Sequence, residues 1–176
     1  MQPRSVVLYI AMSLGGYIAT EDHGLSFLSA VESPGEDYGY NEFIKTVDTV
    51  IMGRKTYDKV LTFGIAFPHR GRKSYVLSRS LTGRDENVEF YDGDIVDLIG
   101  SIRKNKGSNI FIDGGSELVF ELMKRDLIDR FIISVIPTLL GGGIALFRSG
   151  RPSRSLRLTK TLSFPSGLVQ LWYDRQ

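Results

Sequence analysis

Cysteine is absent from the 176-residue chain, and histidine is limited to His23 and His69. Without thiols there can be no disulfide, no thiolate nucleophile and no Cys-ligated zinc or iron–sulfur centre, and two imidazoles give no basis for expecting a metal site. A charge excess is also lacking, since 22 Lys and Arg face 20 Asp and Glu for a formal net charge of +2. That balance argues against a dedicated nucleic-acid binder, whose footprint is a strong basic excess. A disordered chain is disfavoured too, because 42% of the residues are hydrophobic. The apolar run from Val6 to Met12 is too short to span a bilayer, and Met1-Gln2-Pro3-Arg4 before it lacks a signal-peptide layout. No membrane partner is expected, and a cytoplasmic location is favoured. There is no repeat, no low-complexity tract and no linker long enough to divide the chain, so a single domain over residues 1–176 is expected.

What the chain does contain is an alternation of short β-branched runs with helical patterns. Strands are expected at Val6 to Met12, Thr49 to Met52, Ser74 to Leu77, Val88 to Tyr91, Asn109 to Ile112 and Arg130 to Ile136. Helices are expected at Asn41 to Val47, Lys55 to Leu61, Ile95 to Lys104 and Ser116 to Lys124. Two late runs, Leu156 to Phe164 and Leu168 to Tyr173, are separated only by Pro165-Ser166-Gly167 and read as an antiparallel hairpin. The pattern implies an α/β fold with a mostly parallel eight-stranded sheet, a C-terminal hairpin and about four flanking helices. Ligands of such sheets bind beyond the C-terminal ends of the strands, so function is sought there.

Charge is uneven along the chain. Six acids fall between Asp85 and Asp97, whereas Phe131 to Tyr173 has none and holds Arg148, Arg151, Arg154, Arg157 and Lys160. That basic run reads either as an anion or nucleic-acid site or as a solvated surface, and the surface reading is favoured. Trp172 and Tyr173 read as packing residues, while Met12, Phe43 and Tyr57 are pocket or core residues. His23 and His69 sit in polar loops beside Gly and Pro and are expected to be exposed.

Three strand ends carry suggestive chemistry. After Thr49 to Met52 come Gly53, Arg54, Lys55 and Thr56, where a glycine opens a helix and basic side chains crowd its positive end, an unfavourable arrangement unless an anion compensates. Leu77 is followed by Ser78, Arg79 and Ser80, which place hydroxyls and a guanidinium at a strand exit. After Asn109 to Ile112 come Asp113, Gly114 and Gly115, then Ser116 in an N-cap position before Glu117 and Leu118. Neither GxGxxG nor GxxxxGK[ST] occurs, so an ordinary Rossmann site or P-loop is unsupported.

Together these segments resemble the dihydrofolate reductase-like superfamily. Val50-Ile51-Met52-Gly53-Arg54-Lys55-Thr56-Tyr57 resembles that family's strand-to-helix turn on the NADPH phosphates, and Val76-Leu77-Ser78-Arg79-Ser80 its strand exit against the adenosine 2′-phosphate. Ile112-Asp113-Gly114-Gly115 is similar to its glycine pair under the pyrophosphate, and Ala11 to Ala19 to its first strand and mobile loop beside the nicotinamide. Leu139-Leu140-Gly141-Gly142-Gly143 and the short Met12-Ser13-Leu14-Gly15-Gly16 loop make the resemblance closer to the reductase domain of riboflavin-pathway deaminase-reductases and their stand-alone relatives. No deaminase module is expected in this sequence, since that needs Cys ligands.

The resemblance implies the three-layer fold of that superfamily and an NADPH-dependent reductase acting on a pterin, a dihydrofolate-like compound or a 5-amino-6-ribosylamino-pyrimidinone-like heterocycle. It also implies a cofactor site on Ala11, Ile18, Gly53, Arg54, Lys55, Thr56, Leu77, Ser78, Arg79, Ser80, Gly114, Gly115, Ser116, Glu117 and Leu118. Relatives of this type are often homodimers, and the sequence leaves the oligomeric state open. Relatives commonly carry Asp where this chain has Gly15, so a role for that carboxylate is lost. Three acids remain as alternative proton donors: Asp37, sixteen residues before Gly53; Glu42, near a helix start; and Asp113, at a strand's C-terminal end. The competing reading is a non-catalytic protein that binds NADP(H) or a pterin on the same fold.

Overall fold

The computed structural model describes residues 4–176; Met1, Gln2 and Pro3 lie outside the described residues. In chain order the elements are β1 (Val6–Ser13), β2 (Tyr17–Ala19), a 3-10 helix (Ser26–Val31), α1 (Tyr40–Lys45), β3 (Val47–Gly53), α2 (Arg54–Leu61), β4 (Lys73–Leu77), β5 (Gly83–Arg84) and β6 (Glu89–Tyr91). They continue with α3 (Ile95–Arg103), β7 (Asn109–Gly114), α4 (Ser116–Lys124), β8 (Arg130–Ile136), β9 (Ile144–Ala145), β10 (Leu156–Ser163) and β11 (Val169–Arg175). No described helix is long and apolar enough to cross a membrane.

Nine strands form the main sheet in the order β10-β11-β8-β1-β7-β3-β4-β6-β5. The six from β8 to β6 run parallel, β11 and β10 add an antiparallel pair at one edge, and β5 pairs antiparallel with β6 at the other. The expected eight strands are all present. The ninth, β5, and the separate β2–β9 pair are two or three residues long, too short to carry any apolar periodicity. Val47 opens β3 rather than closing α1, because the one-residue link at Thr46 leaves no room for a further helical turn.

Side-chain alternation sends successive strand residues to opposite faces. Leu8, Ile51, Ile112 and Ile133 face α3 and α4, where Leu98, Ile99, Leu118 and Leu122 cover them. Val7, Val50, Met52, Phe111 and Ile132 face α1 and α2 beneath Phe43 and Tyr57. A smaller cluster of Phe27, Val31, Ile136 and Leu168 lies under the 3-10 helix. Phe43 and Tyr57 are therefore core residues, and Met12 packs on the α3–α4 side.

The N-terminal ends of the strands are tied by charged side chains. Buried Arg4 binds Asp48, donates 2.7 Å to Thr49 Oγ1 and 3.0 Å to the Ser108 carbonyl, while Arg130 grips Asp174 through two bonds of 2.6 and 3.0 Å. Most of the Arg148–Lys160 run meets partners within the chain, although Arg151 Nε is buried without a hydrogen-bond partner among the described residues. Arg148 lies 5.4 Å over Phe120, Arg151 5.7 Å over Phe147 and Lys160 5.0 Å over Trp172, and Arg154 pairs with Asp126 at 3.3 Å.

Candidate active site

The C-terminal ends of the strands differ from that edge. Register pairs Gly53 with Leu77 and Met52 with Gly114, so the three segments singled out in the sequence end side by side. A Cβ on Gly53 would stand 3.6 Å from the Gly115 nitrogen, an ordinary contact, and one on Gly115 would stand 3.2 Å from Thr56 Oγ1, a tight one, so the two glycine turns abut. The Gly114–Gly115 peptide bond is cis, and Gly114 has φ of +110°. Two helices start at this junction, α2 after Gly53 and α4 after Gly115, and neither has a side-chain cap. Gly115, rather than Ser116, occupies the N-cap position of α4, and Ser116 is buried as its first helical residue. By contrast α3 is capped by Asp94, whose Oδ1 accepts the Val96 N–H at 2.7 Å. Uncapped amide groups and the positive end of each helix favour an anion.

The side chains around this junction divide into free and engaged groups. Arg79 and Ser80 are exposed. Arg54 bonds Asp58 at 2.7 Å and lies 5.8 Å over Phe90, and Lys55 faces Glu117 at 3.5 Å. Buried Ser78 accepts the amides of Ser80 and Leu81 at 3.3 and 3.0 Å, which shapes the loop after β4. Leu118 is 4% exposed and packs in the core, so only its backbone faces the junction. Ala11 and Ile18 are half-buried, the first on β1 and the second on β2 beside it.

Beside Ala11 opens a cavity of about 710 Å³ between the sheet face and the 3-10 helix. Its floor comes from Tyr9 and Ala11 of β1 and Ser134 and Ile136 of β8, with Leu28 and Val31 above. Gln170, 1% exposed, fixes the polar part of that floor by donating to Tyr9 Oη at 3.1 Å and Ser134 Oγ at 3.1 Å, and Trp172 Nε1 donates to Gln170 at 2.8 Å. Burial raises the Tyr9 phenol above its ordinary value. Tyr40, on the wall, is pushed up to about 12 by burial and then by the negative charge of Asp113. Neither phenol ionises near neutrality, so both remain hydrogen-bond donors.

The three candidate acids fall in different surroundings. Asp37 is exposed, and its carboxylate accepts the amides of Asn41 at 2.8 Å and Gly39 at 2.9 Å, which hold it below the usual carboxylate range. Glu42 is exposed and paired with Lys45. Asp113 is largely shielded, and its Oδ2 lies 2.9 Å from Nε2 of His69. His69 is thus 2% exposed, correcting the expectation that both histidines lie in solvent; His23 is exposed. The Phe67 and Phe111 rings pack edge-on against its imidazole at 5.4 and 5.7 Å, and its Nδ1 has no partner among the described residues. A loop sequence rich in Pro, Arg and Gly gives no sign of this burial, which depends on the contact with β7.

Comparison with known proteins gives the family and the fold. A family model described as the RibD C-terminal domain matches residues 4–170. The chain belongs to that family. It is 45% identical to the Bacillus subtilis protein YwjB over 173 residues, covering 98% of both chains. The crystal structure of a putative riboflavin biosynthesis protein from Shewanella sp. PV-4 is similar, at 33% identity and a TM-score of 0.90 over 98% of this chain and 99% of that one. Dihydrofolate reductase from Enterococcus faecalis, solved with NADP(H), has a TM-score of 0.68 at 18% identity over 98% of this chain and 96% of that one. The fold of this RibD C-terminal domain is therefore dihydrofolate reductase-like, a reductase-type fold.

Proposed function

We propose that the protein is an NADPH-dependent reductase of a small heterocycle. The observation that carries this reading is the meeting of two uncapped, glycine-started helices with Arg54, Lys55 and Arg79 at the C-terminal ends of β3, β4 and β7, in the same sheet whose strands β1 and β8 floor the cavity beside Ala11. The residues fit a dinucleotide. Gly53, Thr56, Gly114 and Gly115 let backbone amides approach a pyrophosphate, and Arg79 is free for a 2′-phosphate. NADPH, when bound, supplies the hydride. The chain holds the acceptor over Ala11, keeps bulk water off it with Leu28 and Val31, and offers the Ser134 hydroxyl to a ring carbonyl or nitrogen, the Tyr9 hydroxyl already donating to the Tyr38 carbonyl at 3.0 Å. Asp113 is the proton-handling carboxylate this geometry favours, because it is shielded and oriented by His69 whereas Asp37 and Glu42 stand in solvent.

The test is titration of an Arg54→Ala/Arg79→Ala variant with both cofactors. Charge-assisted bonds are each worth about 1.5–3 kcal/mol, so NADPH binding should weaken by about tenfold or more per lost bond while NADH binding changes far less. An equal loss for the two overturns the phosphate assignment. The absence of a carboxylate at position 15 and the exposure of Asp37 and Glu42 favour, as the second reading, a protein that binds NADP(H) without turnover. Stopped-flow oxidation of bound NADPH across pterins and pyrimidinones separates the two.

A further inference from the structure

The cavity beside Ala11 has a definite electrostatic character. Among the described residues that line it there is no Lys, Arg or His, while Glu32, Glu36 and Asp37 form one side of its rim. The geometry keeps these carboxylates in place. Asp37 is bound to the Gly39 and Asn41 amides, and Glu36 Oε1 accepts the Tyr38 N–H at 2.7 Å. The nearby cations are turned elsewhere: Lys45 pairs with Glu42, and Arg72 donates to the carbonyls of Val47 and Ile44 at 3.2 and 2.9 Å. The floor is independently specified. Buried Gln170 holds Tyr9 Oη and Ser134 Oγ as acceptors, which leaves the Ser134 O–H proton without an acceptor among the described residues and able to reach a ring carbonyl or ring nitrogen of a bound molecule.

We infer that the acceptor is a flat, uncharged or cationic heterocycle that carries no phosphate or carboxylate arm, so that this chain selects against phosphorylated pyrimidinones. The inference rests on the reductase reading of the protein. An apolar floor with a few fixed polar groups suits a planar ring, and an uncompensated anion at an acidic rim is rejected by repulsion as well as by lost solvation. The contrast is with the strand-end junction, where Arg54, Lys55 and Arg79 stand, whereas no cation lines the cavity.

The experiment uses matched probes: a 6-ribosylaminopyrimidinone with and without its 5′-phosphate, and neopterin with and without a phosphate ester. Each is titrated calorimetrically into the full chain with and without NADP+, and cofactor binding is measured separately. The unphosphorylated member of a pair should bind at least about tenfold more tightly, and the margin should shrink as salt screens the rim. Glu32→Lys/Glu36→Lys, at two exposed positions, should narrow or reverse the preference without changing NADPH affinity. Equal or tighter binding of the phosphorylated members overturns the inference, as does failure of all four probes to bind while NADPH binds normally. Failure of NADPH itself to bind falls instead on the reductase reading, and the probe pairs still decide the selectivity of the cavity.

Discussion

The basic and acidic ends of the proposed site are built differently. At the basic end, the groups that matter are backbone amides and the side chains that follow β3, β4 and β7 directly, so each comes from a short contiguous stretch beginning at a strand's last residue. At the acidic end, Tyr9, Val31, Asp37, Tyr40, Ser134 and Leu168 converge from different parts of the chain onto one sheet face. The first kind of site is a local device of glycine, helix start and cation, and the second exists only once β1 and β8 are paired. The same difference fixes how each end should fail. Local substitutions at the basic end should disturb cofactor binding, whereas substitutions at the acidic end should leave it intact and change acceptor handling.

The largest effect is expected for Gly114→Ala. Gly114 has φ of +110°, where a Cβ is strained, although the nearest atom, Ile10 Cδ1 at 3.4 Å, leaves room for the methyl itself. The strain is worth about 1–3 kcal/mol of stability and shifts the turn against Gly53. Thermal denaturation should show a lowered Tm, and fluorescence titration should show NADPH affinity reduced by about tenfold or more. If Tm falls while NADPH affinity is retained, the turn is a folding element and not a cofactor cradle.

His69→Leu comes next and tests the role given to Asp113. Losing the donor to Asp113 removes a bond to a charged group, about 1–2 kcal/mol, toward the low end of the usual range because Asp113 is 23% exposed. With only two histidines, the imidazole NMR spectrum is simple to assign. His69 should show a slowly exchanging Nε2–H that disappears in Asp113→Ala. Cofactor affinity should stay within about twofold of wild type, and His69→Gln, which keeps a donor, should recover part of any lost acceptor reduction. A His69 ring carrying its proton on Nδ1 would break this assignment.

Asp94→Ala probes the contrast between capped and uncapped helices. Its carboxylate closes α3, so its loss should cost about 0.5–2 kcal/mol, measured by denaturant unfolding, with no change in NADPH binding. A matching loss of NADPH affinity would mean that helix starts across the sheet edge act together, contrary to the separation drawn here.

Much of this was legible in the chain. The parallel strands could be read from β-branched runs alternating with helical spacing, and the glycine turns after Met52 and Asp113 were visible because their signals are contiguous. The cavity floor was less so. Ser134 and Tyr9 are polar interruptions in otherwise apolar strands, a signal that a ligand or a polar network needs them, but only the pairing of β8 with β11 brings Gln170 to both. His69 gave no signal, since its burial depends on Phe67, Phe111 and Asp113, the last 44 residues away. The Arg148–Lys160 run is surface as its sequence suggests, with Arg148, Arg154, Arg157 and Lys160 exposed, but its partners Phe120, Asp126 and Trp172 lie on other elements and could not be read from it.

The smallest effect concerns Asp37, where a pH dependence distinguishes a rim charge from a proton donor. Hydrogen bonds from the Asn41 and Gly39 amides favour the ionised carboxylate, so its folded-state pKa lies below the unfolded one. A group depressed in this way contributes stability that is present above the unfolded pKa and is lost as the pH falls through the folded value. The rim therefore keeps this charge throughout the neutral and mildly acidic range, and discrimination against a phosphorylated probe should persist to the lower edge of the ordinary carboxylate range. Asp37→Asn should flatten the acid limb of the Tm-versus-pH curve slightly, since a neutral amide cannot gain a proton there. If Asp37→Asn instead abolishes acceptor reduction at neutral pH while NADPH and acceptor still bind, the proton passes through Asp37 and the assignment of that role to Asp113 fails.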